Sequence, residues 1–316
     1  MTQCIQEIVL DLHQRQLIDW KLAGQNFAQL EKITERKVAL KGATATLQFN
    51  AERIRSAAAK TDTKSLQARP CFLCAKNRPA EQESYLFQNK YEVLVNPFPI
   101  FKNHLTIADA THTDQRINER MGDMLQLAHA LPDFVIFYNG PKCGASAPDH
   151  MHFQGAGKNI IPLQTQLSLG TLALETVITN DQITVSKTAE SNLQAIILES
   201  KEAEHVVAYF QQIYNQAATL QPNELEPMMN ILSWYDTEKA IYQVAVILRK
   251  AHRPWQFSAE GDAQILISPA SVEMGGLFVL ARQEDYQKIT SDDLADILQQ
   301  TLIDEADLLK ILNHLS

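Results

Sequence analysis

Four of the eleven glycines in this chain fall between positions 140 and 157. They begin at the end of the apolar run FVIFYNG (134–140), which is typical of a buried strand that ends in a glycine turn. They continue through DHMHFQG (149–155), which predicts a second, short strand. Glycine is favoured where the backbone turns tightly or approaches a ligand closely. The sequence therefore predicts two strands joined by a ligand-binding turn, and this part of the chain is the first candidate for a functional site.

The order of the predicted elements indicates an α+β fold. A helical segment over 1–36 is followed by strands, a helix and further strands, and a similar succession returns later in the chain. The length of 316 residues corresponds to about two domain-sized units. We therefore expect two halves, 1–165 and 166–316. Among the later elements, the pattern predicts helices over 223–230 and 290–314 and a strand over 264–268.

The overall charge restricts the class of partner. The chain has 28 Lys and Arg against 37 Asp and Glu, a net charge of −9. Nucleic-acid binding needs clustered positive charge, so we expect no nucleic-acid partner, while one nucleotide held in a pocket remains compatible with this composition.

The same composition bears on location. No run of 18 apolar residues occurs, and the first residues carry acidic side chains without a basic stretch, so we expect neither a membrane partner nor a signal peptide. Four cysteines are too few for a disulfide framework and favour a reducing compartment. We therefore expect a cytoplasmic protein; the sequence leaves open whether it forms a homodimer.

Three polar side chains alternate in the second predicted strand. His150, His152 and Gln154 are two residues apart, and alternate residues of a strand face the same side. A neutral imidazole can attack a phosphoryl group and carry it covalently, and an amide can hydrogen-bond the oxygens on which charge develops. The alternative is a pair of histidines with only a structural role.

The turn before this strand suits a phosphate. Gly144 offers backbone N–H groups and Ser146 offers a hydroxyl. Asn139 and Lys142, at the start of the same turn, complete the predicted substrate-binding set, with Lys142 as the residue that neutralises phosphate charge.

A Cys-x-x-Cys pair precedes these strands. Two thiolates at Cys71 and Cys74 can share one tetrahedral zinc ion, which then needs two further nitrogen or sulfur ligands. A redox pair and two inert buried cysteines are the alternatives.

The run GASAPDHMHFQ (144–154) resembles the signature of the transferase branch of the histidine triad superfamily, which carries H-x-H-x-Q where the hydrolases carry H-x-H-x-H. Members include galactose-1-phosphate uridylyltransferase, diadenosine tetraphosphate phosphorylase and the GDP-hexose phosphorylases, and the motif is most similar to the last two. The resemblance covers residues 40–160 well. It implies two fused histidine-triad-like halves, each with an antiparallel sheet and packed helices, of which the second is degenerate.

The resemblance also implies roles for individual residues. It makes His152 the nucleophile, Gln154 its partner amide, and Gly144 and Ser146 the phosphate-binding turn. It favours a metal, zinc or else iron, and implies its four ligands. These are Cys71, Cys74, His112 and His150, with His104 as a substitute for His112.

We therefore expect a nucleotidyltransferase or phosphorylase that acts on a nucleoside diphosphate sugar or a dinucleoside polyphosphate through a covalent nucleotidyl-histidine intermediate. Its partners would be small molecules: the nucleotide substrate and phosphate or a sugar phosphate. A hydrolase of the same superfamily and a catalytically silent zinc- or nucleotide-binding protein are the alternatives.

In the second half, Arg249, His252 and Arg253 are either phosphate contacts or a basic strand end.

Overall fold

In the computed structural model of the protein, residues 4–53 and 69–315 are described. The helices are α1 (Ile5–Asp19), α2 (Lys21–Ala28), α3 (Met121–Ala130), α4 (Pro162–Ser168), α5 (Ala203–Leu220), α6 (Ser271–Met274), α7 (Gln283–Lys288), α8 (Ser291–Thr301) and α9 (Glu305–Asn313). The strands are β1 (Thr34–Leu40), β2 (Ala43–Phe49), β3 (Ser84–Phe87), β4 (Tyr91–Val95), β5 (Leu105–Asp109), β6 (Phe134–Asn139), β7 (His152–Gly157), β8 (Leu174–Thr179), β9 (Thr184–Thr188), β10 (Ile196–Ser200), β11 (Met229–Asp236), β12 (Ile241–Leu248) and β13 (Leu277–Leu280).

Ten of these strands form one antiparallel sheet in the order β3-β4-β5-β7-β6-β11-β12-β10-β9-β8. From its outer edge to the centre, each half contributes the first, second, third, fifth and fourth of the five strands that it places in this sheet. In both halves one helix, α3 or α5, connects the third strand to the fourth. The same unit is therefore used twice, and the predicted α+β architecture with antiparallel sheets is confirmed.

The two halves meet where β6 pairs with β11. The register places Asn139 opposite Asn230 and Tyr138 opposite Ile231, and the strands run antiparallel. The backbone hydrogen bonds of the first half thus continue directly into the second half.

The two faces of the large sheet are covered by different helices and strands. Successive residues of a strand point to opposite faces, so Ile136 and Tyr138 of β6 pack with α3, α5 and α9, whereas Val135 and Phe137 pack on the other side. That other side is covered by the three-stranded sheet β1-β2-β13 and by α8. The hairpin of β1 and β2 turns at Gly42, which has a positive φ of +65° that favours glycine.

Several predicted elements differ from the structure. The helix predicted over 223–230 is wrong: this segment is a loop tied down by the buried carboxylate of Glu226, and β11 begins at Met229. The strand predicted over 264–268 is wrong: these residues form no regular element, and the N–H of Ile267 instead donates to the carbonyl of Ile265. The helix predicted over 290–314 is two helices, α8 and α9, which are separated by the isolated bridge between Leu302 and Arg249.

Across residues 4–53 and 69–315, no helix combines the length and the apolar character needed to cross a bilayer.

Candidate functional site

Four side chains from three segments of the first half converge. Cys71 and Cys74 precede β3, His112 follows β5, and His150 precedes β7. Their ligand atoms all lie within 4.8 Å of one another. Cys71 Sγ is 3.2 Å from His150 Nδ1, and Cys74 Sγ is 3.2 Å from His112 Nδ1. The two Nδ1 atoms are 3.2 Å apart. Ligand atoms around tetrahedral zinc lie roughly 3.3–3.8 Å apart, because the bonds are about 2.0–2.3 Å long.

The hydrogen bonds around this Cys2His2 cluster prepare it for a metal. His150 Nε2 is 2.8 Å from the carbonyl oxygen of Asp109. Since a carbonyl only accepts, Nε2 carries the proton and Nδ1 keeps its lone pair for a ligand bond. Burial lowers the pKa of His150, which also favours the neutral ring. Asn77 donates its side-chain amide to the carbonyl of Cys71 at 2.8 Å and fixes the cysteine turn. The cluster can therefore hold a metal ion.

One expectation changes at this point: His150 does not lie on the strand. β7 begins at His152, and His150 occupies the preceding turn. His152 and Gln154 do share one face of β7 and both line a common cavity, whereas the ring of His150 turns to the cysteines. The H-x-H-x-Q motif therefore serves two separate sites, and His104 is not needed as a metal ligand because His112 points into the cluster.

His152 lines the cavity with a defined tautomer. Its Nδ1 lies 2.8 Å from the carbonyl oxygen of His150, so Nδ1–H donates and the lone pair is on Nε2. The side chain is 3% exposed and lines the cavity. Burial lowers the pKa of His152 to about 4, which keeps the imidazole neutral at physiological pH. A neutral ring with a defined tautomer is what attack on phosphorus requires.

The backbone of His152 is held by a residue that the motif does not contain. Gln115 is fully buried, and its Oε1 accepts the N–H of His152 at 2.7 Å. Its amide donates to the carbonyl of His152 at 3.0 Å and to that of Asn139 at 2.9 Å. Gln115 thus bridges β6 and β7 at the point where their direct pairing ends. No local pattern in the sequence distinguishes it from a surface glutamine.

Gln154 is oriented by His104. The N–H of Ile100 donates to His104 Nδ1 at 3.4 Å, so His104 Nε2 is the donor to Gln154 Oε1, 2.9 Å away. With its oxygen accepting this hydrogen bond, the amide NH2 of Gln154 is the group left for a ligand in the cavity. The sequence offers His104 only as a substitute metal ligand, whereas in the structure it contacts the amide of Gln154.

The predicted phosphate turn lines the same cavity through Asn139, Gly144 and Ser146. Gly144 has φ +94°, and a Cβ there would lie 2.4 Å from the Cβ of Ala270, so no other residue fits without displacing α6. The Oδ1 atom of Asn139 accepts hydrogen bonds from the N–H and the hydroxyl of Ser271, at 2.8 and 2.6 Å. These contacts seat the turn against the second half of the chain.

Lys142 lies outside the cavity that His152 lines. It is not among the residues that line the cavity, and its ammonium group is 2.7 Å from a carboxylate oxygen of Glu224. The lysine side chain is 61% exposed. The structure therefore does not bring Lys142 to the cavity with His152.

The cavity has a volume of about 610 Å³ and draws its walls from both halves. The second half contributes His252, Arg253, Ser268 and Glu273. Arg249 does not face the cavity: it is fully buried, and its guanidinium donates to backbone carbonyls and to Asn230. A cavity of this size suits a ligand as large as a nucleotide.

Two family models match the chain. One, described as a domain of unknown function (DUF4922), covers residues 12–157, and the other, described as GDPGP1-like, C-terminal domain, covers residues 171–315. No curated protein sequence is significantly similar to the chain.

Solved structures resemble this chain to different degrees, and the first two below share its fold. The yeast Ap4A phosphorylase Apa2 has a TM-score of 0.56 and 16% identity, over 90% of this chain and 96% of that chain. Its complex with Ap4A has a TM-score of 0.54 and 17% identity over the same shares. An ADP-glucose phosphorylase from Arabidopsis thaliana with bound ADP-glucose has a TM-score of 0.39 and 12% identity, over 86% of this chain and 99% of that chain.

Proposed function

We propose that this protein, whose chain has the fold of the histidine triad superfamily, is a nucleotidyltransferase that works through a covalent nucleotidyl-histidine intermediate. The observation that carries the proposal is His152: a buried, neutral imidazole whose Nδ1 is bonded to a carbonyl and whose ring lines a nucleotide-sized cavity. The substrate would be a nucleoside diphosphate sugar or a dinucleoside polyphosphate, and the acceptor would be phosphate or a sugar phosphate.

The reaction would proceed by double displacement at the α-phosphorus. His152 Nε2 forms a bond to phosphorus, and the bridging P–O bond breaks, so that its electron pair leaves with the sugar phosphate or nucleoside polyphosphate. An oxygen of the acceptor phosphate then attacks the same phosphorus, and the P–N electron pair returns to Nε2. The proton on Nδ1 stays on its bond to the His150 carbonyl throughout, so the ring needs no general base.

Gln154 would stabilise the charge on the non-bridging oxygens. Its NH2 group is directed by the hydrogen bond from His104, and Gly144 and Ser146 would add donors from the turn. An amide donates a hydrogen bond but cannot give a proton to the leaving group. The leaving group must therefore be a weak base such as a phosphate, which favours transfer over hydrolysis.

We propose zinc as the ion at Cys71, Cys74, His112 and His150. Two thiolates and two neutral imidazoles form a donor set that zinc prefers, with iron as the second candidate. When bound, a metal with four protein ligands stabilises the local fold and leaves no position for substrate. We also propose a cytoplasmic location, because four cysteines are too few for a disulfide framework.

A product assay tests the function. GDP-, UDP- and ADP-sugars and dinucleoside polyphosphates are offered with and without inorganic phosphate, and the intact protein is weighed by mass spectrometry. We expect a nucleotidyl adduct on the wild type and on the control variant His314→Ala, which alters an exposed histidine. We expect none on His152→Ala.

The outcomes separate the alternatives. Phosphate-dependent release of a nucleoside diphosphate supports the transferase. Release of nucleoside monophosphate at the same rate with or without phosphate identifies a hydrolase. Normal turnover by His152→Ala refutes the nucleophile, and binding without consumption of any substrate indicates a silent protein.

A further inference from the structure

Arg253 is a half-buried cation in the wall of the cavity that holds His152. Its Nε donates to the hydroxyl of Ser268 at 2.9 Å, and its guanidinium carbon lies 4.0 Å from the ring centre of Phe257. These two contacts fix the plane of the guanidinium and engage only its Nε nitrogen.

The guanidinium has no acidic partner in the described part of the chain. Within residues 4–53 and 69–315, no carboxylate oxygen lies within 4.0 Å of Arg253, and its two terminal nitrogens make no hydrogen bond. Arg69, which lines the same cavity, is instead paired with Asp149 at 3.1 Å. Arg253 is thus a positioned cation whose charge no carboxylate of the described residues neutralises.

The loop that carries Arg253 is rigidly anchored. The fully buried Arg249 donates through Nη2 to the carbonyls of Ala251 and His252, at 3.0 and 2.7 Å. Its Nη1 donates to the carbonyl of Pro269 at 2.7 Å. Arg249 therefore ties the loop that carries Arg253 to the segment that carries Ser268, so the position of the guanidinium is set before any ligand binds.

The same segment reaches the phosphate-binding turn. Ser268, which holds Arg253, is two residues from Ala270, which packs directly against Gly144. Two residues of extended chain span at most about 7 Å. The phosphorus atoms of a diphosphate are about 3 Å apart, and each carries oxygens that extend further, so one diphosphate could touch both the turn and the guanidinium.

We propose that Arg253 and Ser268 form an anion subsite for the second phosphate of the reaction, resting on the proposed function. It binds the β-phosphate of the bound substrate, which departs as the leaving group, and then the phosphate that attacks the nucleotidyl-histidine. In the first step, an oxygen of the phosphate on Arg253 takes the electron pair of the breaking P–O bond. In the second step, an oxygen of the acceptor phosphate at the same place supplies the electron pair for the new P–O bond. Gly144, Ser146 and Gln154 hold the α-phosphate in both steps. The second half of the chain thereby selects a phosphate acceptor in preference to water.

The first test is binding and needs no turnover. Inorganic pyrophosphate is titrated into the full-length protein by calorimetry. Arg253→Gln should bind it about 10- to 100-fold more weakly than the wild type, because charge-assisted hydrogen bonds are lost. Arg253→Lys should recover part of the affinity, since a lysine keeps the charge but not the planar fork. The matched control is Lys250→Gln. Lys250 lies three residues before Arg253, but its positive charge is paired with Asp304, so this variant should bind pyrophosphate like the wild type.

The second test is the fate of the intermediate. With a substrate found in the product assay, Arg253→Gln should raise the KM for phosphate about 10-fold or more and increase the fraction hydrolysed. Ser268→Ala should shift both values in the same direction to a smaller extent. Thermal unfolding of each variant verifies that it is folded.

Equal pyrophosphate affinity in wild type and Arg253→Gln overturns the subsite, whether or not the protein turns over any nucleotide. Weaker pyrophosphate binding by Arg253→Gln in a protein that forms no nucleotidyl adduct supports the anion subsite while refuting the proposed reaction.

Discussion

The carbonyl oxygen of His150 accepts the Nδ1 proton of His152 at 2.8 Å, while the ring of His150 lies in the Cys2His2 cluster. One residue thus connects the Cys2His2 cluster to the proposed nucleophile through a single hydrogen bond. When the His150 ring holds a metal, the backbone of His150 is fixed as well. Its carbonyl then keeps the proton of His152 on Nδ1, so the lone pair of His152 is on Nε2.

We expect the loss of the metal to reduce stability more than it reduces catalysis. Cys74→Ser should abolish stoichiometric zinc, lower the thermal unfolding temperature, and slow turnover on the order of 10-fold, because the His150 carbonyl is then less firmly placed. Elemental analysis, a thermal scan and kcat on the same preparation measure the three effects. The exposed Cys4 supplies the control, Cys4→Ser, which should retain its metal. A wild-type protein without metal would contradict the assignment.

Gln115 should be required for both stability and rate. Gln115→Leu leaves the buried N–H of His152 and two carbonyls without partners, so we expect a loss of about 1–3 kcal/mol in the free energy of unfolding. We also expect a lower kcat, because His152 is no longer held to β6. Urea unfolding and steady-state kinetics measure the two effects, with the exposed Gln182→Ala as control. Wild-type values for Gln115→Leu would show that the bridge is dispensable.

Gln154→His should change the partition of the nucleotidyl intermediate. The substitution removes the directed amide, so transfer to phosphate should slow by roughly 10²–10³, as is typical when an oxyanion donor is lost. The new imidazole can donate a proton to a leaving group, so the hydrolysed fraction should rise. The ratio of nucleoside monophosphate to nucleoside diphosphate measures this partition. If rate and ratio both stay unchanged, Gln154 has no part in the chemistry.

The buried carboxyl of Glu226 should make stability depend on pH. Burial raises the pKa of Glu226 above its ordinary 4.5, although it accepts hydrogen bonds from the Tyr138 hydroxyl at 2.5 Å and the Ile117 N–H at 2.6 Å. Between the ordinary and the raised pKa the folded state binds more protons than the unfolded state. Stability from this group is therefore present at pH below 4.5 and is lost as pH rises through the folded pKa.

Glu226→Gln removes the titration and should flatten this part of the curve. Urea midpoints measured from pH 4 to pH 8 on both proteins give the comparison. Curves of the same slope would mean that the carboxyl titrates in the folded protein as it does in the unfolded chain.

The sequence predicts those parts of the molecule that depend on local pattern. The strand predicted over 134–140 from its apolar run corresponds to β6, and the convergence of His112 with the cysteines follows from the resemblance. Contacts between distant segments leave no such pattern. Neither Gln115 nor Asn230, whose amide donates to the Asn139 side chain at 3.1 Å and to the Cys143 carbonyl at 2.8 Å, could be identified before the fold was known.

Other differences have a tertiary cause. Lys142 is close in sequence to the glycine turn, yet in the structure it forms an ion pair with Glu224 at the surface. The helix predicted over 223–230 is replaced by a loop because the buried carboxylate of Glu226 takes the N–H of Ile117 from a distant segment. His150 leaves the strand because its ring points to Cys71. In each case a distant partner outweighs the local preference.

The pairing of β6 with β11 has a consequence for any attempt to divide the chain. If the first half were expressed alone, β6 would become a sheet edge, and its unpaired N–H and C=O groups could recruit the β6 of another molecule. Such an edge-to-edge dimer would be a misassembly that imitates the native centre of the sheet. The second half therefore covers the β6 edge of the first half, and it does so although its own sequence contains no H-x-H-x-Q motif.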